Sequence, residues 1–371
     1  MAISLLDDIR ALTPAIRKLA PQIEQDRNLP PAVVDQLAGL GVFKLAVPEQ
    51  YGGSEAEPSL LVDVLEELGR ADGSTGWCAM VGAATGMTLA YLPPATAMDL
   101  VRDPRFLIAG VAAPTGRATP VEGGYRVRGR WAFASACRHA THLVGGMLTP
   151  EGVRLAVLDP AALTIHDTWE VAGLRGTGSH DFTADDVLVP ADRTFSLAEA
   201  PVQKGPLYAF PALSLLALGI GAVSLGIARA AIEDFGELAR TKRNPLTGEA
   251  IAAKPAVRAA VAEATALHGA GLAYLRHSVT AVVPAATPET DALRRARLRL
   301  AISTATRNAA RAVDLLYHAA GGSAVYDSSP LQRHFRDVHV ATQHAMVSGD
   351  VTEAAGAVLL GLADSVPTAR L

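Results

Sequence analysis

The repeat period of the apolar residues changes twice along this chain, and that double change bounds the fold more tightly than any single motif. Ile9, Leu12, Ile16, Leu19 and Ile23 recur at alternating spacings of three and four, one face of a helix that Ser4 and Asp7 open in the manner of a capping box. Pro30-Pro31 starts a second helix carrying Val34, Leu37 and Leu40 and stopped by Gly41, and Ser59 to Gly69 reads as a third. Between them Val47-Pro48-Glu49-Gln50-Tyr51-Gly52-Gly53 is too rich in Pro and Gly for a regular state. Near Pro104 the period drops to two. Tyr125, Val127 and Gly129 alternate with Arg126, Arg128 and Arg130, Gly123-Gly124 fits a hairpin turn, and Leu155, Val157, Val187 and Val189 continue the strand character to Pro190. From about Pro211 the helical period returns. It predicts helices over Leu215–Leu238, Pro255–Val283, Thr290–Ala320, Leu331–Val347 and Val351–Ala363. The expected fold class is α+β in three parts: an N-terminal helical bundle over 1–103, a central, mostly antiparallel β-domain over 104–203, and a C-terminal bundle of four or five helices over 204–371.

Composition removes several function classes. Lys and Arg total 33 against 37 Asp and Glu, so the chain lacks the basic surplus that neutralising nucleic-acid phosphates requires. Two cysteines, Cys78 and Cys137, cannot build a disulfide framework, and MAISLLDDIR lacks a basic then apolar leader, so a cytoplasmic setting is expected. Gly73–Met98 and Gly205–Ala228 carry no charge and are long enough to cross a bilayer. Pro93-Pro94 breaks the first, and Pro206, Pro211 and several glycines and serines interrupt the second. Helices buried on all sides are the expected reading, with no membrane partner. Gly173, Gly176 and Gly178 run GxxGxG without a βα step, which fails a Rossmann reading; no P-loop, nucleophile elbow or CxxC is present.

Several segments, in order along nearly the whole chain, resemble the acyl-CoA dehydrogenase superfamily. They are Gly39-Leu40-Gly41-Val42 with the Val47–Gly53 loop, Gly173-Leu174-Arg175-Gly176-Thr177-Gly178-Ser179 followed by Asp186 to Pro190, and Gly321-Gly322 followed by Pro330-Leu331-Gln332-Arg333 and Arg336-Asp337. Within it, Gly129 to His139, Arg175 to Asp181 and Ala341-Thr342-Gln343-His344 resemble the flavin-dependent monooxygenases of the two-component group. The dehydrogenase pattern requires a carboxylate base about ten positions after the Arg-Asp pair or on the first C-terminal helix. Here Val340 to Met346 holds no acid, and the second location falls near Ser214 in an uncharged run. Losing a general base costs about 10²- to 10⁴-fold in rate.

The resemblance implies an oxygenase component that takes reduced FMN or FAD from a separate flavin reductase. It would add O₂ at flavin C4a to give a hydroperoxyflavin, and hydroxylate a small aromatic or amine substrate as a homotetramer without a metal. The alternative is a dehydrogenase-type, FAD-dependent desaturase of a thioester. By the same resemblance Ser135 would accept a hydrogen bond from flavin N5–H, with Phe133 and Ala134 beside it. His344, with a pKa near neutrality, would take a substrate proton. Arg243, or neighbouring Lys242 or Arg240, would reach a flavin phosphate on a neighbouring subunit, and Gly321 and Gly322 would allow close backbone approach to the cofactor. Trp77 and His139 are candidates for the substrate pocket. The plainer alternatives are a strand-end serine, a core tryptophan and histidines used in packing, a solvated basic loop, and a helix C-cap at Gly321-Gly322. His334, His339 and His344 recur at spacings of five, which turns them off a common helix face and argues against a zinc site.

Overall fold

Helix α1 (Leu5–Asp26) begins where the sequence signals it, with Ser4 Oγ accepting from the Asp7 N–H. The computed structural model describes residues 4–281 and 288–367. Helices α2 (Pro31–Gly39), α3 (Pro58–Ala71), α4 (Gly73–Gly86) and α5 (Pro94–Leu100) complete the N-terminal part. The chain then enters a seven-stranded sheet: β1 (Ile108–Val121), β2 (Gly124–Ala134), β3 (His142–Thr149), β4 (Gly152–Leu158), β5 (Thr164–His166), β6 (His180–Pro190) and β7 (Thr194–Phe195). The C-terminal part is α6 (Ala212–Thr241), α7 (Pro255–Thr280), α8 (Pro288–Ala320), α9 (Pro330–Thr342) and α10 (Gly349–Leu359). Val283, the expected end of α7, lies outside the described residues.

The sheet order is β5-β6-β2-β1-β3-β4-β7. Every pair is antiparallel except β1 with β3, which run parallel, so the sheet is mixed. Alternation in the sequence reports which face a residue takes and not which strand lies beside it. The sheet closes over Trp131, fully buried, whose indole stacks on Phe182 at 4.9 Å and donates to the Gly146 carbonyl at 2.7 Å. A Cβ at Gly116 would meet that indole at 2.4 Å and one at Gly145 at 2.9 Å, so these glycines make room for the ring.

The helices within both uncharged runs, α4 and the first half of α6, are largely interior. In α4 all residues but Thr85 are buried. Helix α6 is long and apolar enough to cross a membrane, but its apolar residues are largely buried within the protein. It crosses α3 at backbone contact: a Cβ on Gly226 would sit 2.1 Å from the Glu66 carbonyl oxygen. The fourth C-terminal helix is shorter than its apolar period suggests. It stops at Thr342, and His344 caps a separate 3₁₀ turn over Ala345–Val347.

Candidate active site

Strand β2 ends in an irregular step. Its register against β6 slips between Trp131 and Ala134, and Phe133 and Ala136 take left-handed backbone conformations with φ of 67° and 60°. Each costs about 1–2 kcal/mol for a residue with a Cβ. The step is held by the Ala136 N–H donating to the Thr177 carbonyl at 2.9 Å and by the Cys137 thiol on the Gly178 carbonyl at 3.4 Å. It presents Ser135 between the strained Phe133 and Ala136 and leaves Phe133 72% exposed.

Ser135 is buried and heads a chain of hydroxyls. Trp77 Nε1, from α4, donates to Ser135 Oγ at 3.1 Å. Ser135 Oγ and Ser179 Oγ are 2.7 Å apart, as are Ser179 Oγ and Thr177 Oγ1. Thr177 Oγ1 donates to the Leu174 carbonyl at 2.8 Å. A hydroxyl has one proton, and a carbonyl only accepts. Thr177 has therefore spent its proton, Ser179 must donate to Thr177, and Ser135 must donate to Ser179. Ser135 Oγ is left with one open lone pair and no proton to give. The Leu174 amide closes the chain by donating to Asp337 Oδ1 at 2.6 Å.

The Trp77 ring lies 5.8 Å from that of His344. The imidazole Nδ1 accepts from the Met346 N–H at 3.2 Å, which puts the ring proton on Nε2. Burial of the ring, and then the positive charge of Arg299, hold its pKa down to about 4. This differs from the near-neutral base expected from the sequence: His344 is a neutral imidazole offering Nε2–H. The structure thus brings Ser135, Trp77 and His344 together, and among the described residues no carboxylate hydrogen-bonds any of the three. Ser214, at the second position where a base was sought, is fully buried in α6.

Phe133 and Ala134 directly precede Ser135, and among the described residues no hydrogen bond or ring contact joins His139, Arg243, Gly321 or Gly322 to Ser135, Trp77 or His344. The charged groups around His139 are Arg105, Arg138 and Asp35, and its Nε2 is buried without a partner. Arg243 is exposed, in a loop bridged from Arg243 to Ala250. Lys242 Nζ donates to the Ala320 carbonyl at 3.0 Å, which ties that loop to the turn at Gly321-Gly322. Gly321 needs its positive φ of 57°, and nothing lies within 4 Å of a Cβ built on either glycine, so this turn is an open surface.

Sequence reasoning missed three kinds of participant. Ser179 and Thr177 were visible only as part of a glycine-rich segment. Arg299 and Ser303, on α8, are 3% and 0% exposed, and Nε and Nη1 of the first and Oγ of the second have no partner. Leaving a buried guanidinium unpaired costs several kcal/mol. Behind the hydroxyl chain, a cavity of about 280 Å³ is lined by Asp72, Asp234, Arg333, His334 and Asp337 among others. Burial and the neighbouring Asp72 push the Asp337 carboxyl up to about 7. Among the described residues no group of three His, Cys, Asp or Glu is placed to hold a metal ion.

This geometry has relatives. The acyl-CoA dehydrogenase N-terminal domain model matches residues 6–93, and the acyl-CoA dehydrogenase C-terminal domain model matches residues 218–349. The chain is 33% identical to the indole-3-acetate monooxygenase of Acinetobacter baumannii, over 96% of this chain and 94% of that protein. It is 30% identical to the oxygenase component of an FADH₂-dependent resorcinol hydroxylase from a Rhizobium species, over 97% and 95%. The crystal structure of 3-HSA hydroxylase from a Rhodococcus species superposes with a TM-score of 0.90 at 27% identity, over 100% of this chain and 99% of that one. The chain belongs to the acyl-CoA dehydrogenase superfamily, among its flavin-dependent monooxygenases.

Proposed function

We propose that this chain is the oxygenase component of a two-component monooxygenase, receiving reduced flavin from a separate reductase and using O₂ to hydroxylate a small aromatic substrate. The observation that carries this reading is the Ser135 hydroxyl, an acceptor without a free proton to which no carboxylate is hydrogen-bonded among the described residues. Reduced flavin supplies the electrons that activate O₂. The residues of this chain do the rest. Ser135 Oγ would accept from the flavin N5–H, and Phe133 and Ala134 would help to hold the ring beside it. Trp77 excludes water and fixes Ser135. His344 Nε2–H donates to an oxygen of the substrate and orients its ring; a proton acceptor role needs the Met346 bond to open first. The thioester desaturase alternative needs a carboxylate base, and among the described residues none is hydrogen-bonded to Ser135, Trp77 or His344.

The residues around Ser135 fit a flavin: one open lone pair, an exposed aromatic face at Phe133, and a strained backbone step that fixes both. The exposed Arg243 and the open Gly321-Gly322 turn, tied together through Lys242, support a role at a flavin phosphate carried by a neighbouring subunit of a homotetramer. Either FMN or FAD satisfies that contact. We place the enzyme in the cytoplasm, where a reductase and reduced nicotinamide are at hand. Indole-3-acetate and resorcinol, named for two relatives, are the first substrates to try. The test supplies FMN, NADH and a flavin reductase in air with a panel of small aromatics. Product that gains one oxygen atom only when the reductase is present supports the reading. Anaerobic bleaching of protein-bound oxidised flavin by an acyl-CoA would replace it with the desaturase.

A further inference from the structure

Arg299 and Ser303 stand one turn apart on the same face of α8. Two interior carboxylates are paired with cations: Glu67 with Arg70 and Arg229, and the partly buried Asp234 with Arg17 and His334. Arg299 has no ion pair among the described residues, and two of its nitrogens are sealed without an acceptor. Ser303 Oγ, the next polar group along that face, is orphaned in the same way. Folded proteins rarely leave an arginine dry and alone, and no anion among the described residues partners this one. A guanidinium is a planar fork matched to two oxygens on one atom. Helix α8 packs against the 3₁₀ turn that His344 caps, and the charge of Arg299 reaches the His344 ring, itself 5.8 Å from that of Trp77.

We propose that Arg299 and Ser303 form a receptor for an oxyanion on the ligand of this site, the carboxylate of an aromatic acid substrate. The inference rests on the oxygenase reading and adds the substrate class to it. The guanidinium takes both carboxylate oxygens and Ser303 donates a further hydrogen bond. The aromatic ring is thereby held against Trp77 and His344. A flavin phosphate presents the same chemistry, but it brings up to two negative charges. One buried guanidinium neutralises a monoanion and leaves a phosphate partly unpaired.

The test is calorimetric titration of wild type, Arg299→Met and Arg299→Lys with two pairs of probes. Phenylacetate is compared with phenylacetamide, on anaerobic protein saturated with reduced FMN and on flavin-free protein. Reduced FMN is compared with reduced riboflavin. The expected result is that Arg299→Met weakens phenylacetate by about tenfold or more, leaves phenylacetamide within about twofold, and leaves the FMN-to-riboflavin ratio unchanged. Arg299→Lys should recover part of the loss. The melting temperature of flavin-free Arg299→Met should equal or exceed that of wild type, because an unpaired buried charge is removed. Unchanged discrimination between acid and amide overturns the proposal, as does a collapse of the FMN-to-riboflavin ratio, which assigns the fork to the phosphate. A marked fall in the melting temperature overturns it too, because Arg299 would then be structural. If no reduced flavin binds, the oxygenase reading fails, while the acid and amide comparison on flavin-free protein still decides Arg299.

Discussion

Ser135 Oγ lies 2.7 Å from Ser179 Oγ, and the proton between them belongs to Ser135. Thr177, committed to the Leu174 carbonyl, forces that direction on the chain. A hydroxyl that only accepts suits reduced flavin, whose N5 bears a proton, and has nothing to offer oxidised flavin, whose N5 needs a donor. Removing Ser179 frees the Ser135 proton to turn toward the cofactor. Ser179→Ala should tighten oxidised FMN relative to reduced FMN by about fivefold, the worth of one neutral hydrogen bond. Paired titrations of the two redox states, the reduced one under argon, give the ratio directly. An unchanged ratio would mean that the chain does not set the polarity of Ser135.

Ser135→Ala removes the acceptor itself. A buried N–H left without a partner costs about 1–3 kcal/mol, so reduced-flavin affinity should fall about tenfold. Coupling should fall with it, measured as hydroxylated product against hydrogen peroxide released. Full coupling in this variant would discard the role given to Ser135.

His344 enters as a neutral ring. Its folded pKa, near 4, is below the ordinary 6.5, so the unfolded chain binds more protons across that window and stability rises with pH there. The contribution is fully present above about 6.5 and is lost as pH falls toward 4. His344→Gln keeps a donor and cannot titrate, so the melting temperature of wild type should drop below that of the variant as pH is lowered from 6.5 to about 4. His344→Ala should cut hydroxylation about tenfold or more and leave flavin affinity nearly intact. A wild-type activity profile with a limb at 6.5 would contradict the neutral-donor assignment.

Asp337 predicts the opposite slope. Its folded pKa of about 7 exceeds the 3.8 of an ordinary aspartate, so the folded state holds a proton that the unfolded chain has released. Stability therefore falls as pH rises from about 4 through 7. Asp337→Asn keeps an oxygen for the Leu174 amide and cannot ionise. It should match wild type near pH 4 and exceed it at pH 8 by about 2 kcal/mol, allowing for the arginines nearby. Urea melts at the two pH values check this; a variant less stable at pH 8 would refute it.

The α3–α6 crossing tests the fold apart from the chemistry. Gly226→Ala would place a methyl 2.1 Å from the Glu66 carbonyl, against backbone on both sides. The expected loss is about 2–3 kcal/mol, read from thermal melts with flavin absent.

The order of helices, sheet and helices was legible because a change of apolar period is a local property. Strand neighbours were not, since the parallel pairing of β1 with β3 leaves no mark on alternation. The end of α9 was misread because Met346 and Val347 keep the apolar rhythm, while the break is made by His344 Nδ1 turning back to the Met346 amide. Ser135 was reachable through resemblance. Its partners were not, because Ser179 comes to it through the Ala134–His180 pairing of β2 with β6. Arg299 hides among Arg294, Arg295 and Arg297, which reads as a solvated face. The usable signal was phase: Ala296, Arg299, Ser303 and Thr306 share one face of α8, and all four are buried.

The origin of the oxygen in the product separates an oxygenase from a desaturase. Protein supplied with reduced FMN, an aromatic acid and isotopically labelled O₂ should yield hydroxylated acid carrying one labelled atom, with none taken from labelled water. Label arriving from water, or no hydroxylation while an acyl-CoA reduces the bound flavin without oxygen, would contradict it.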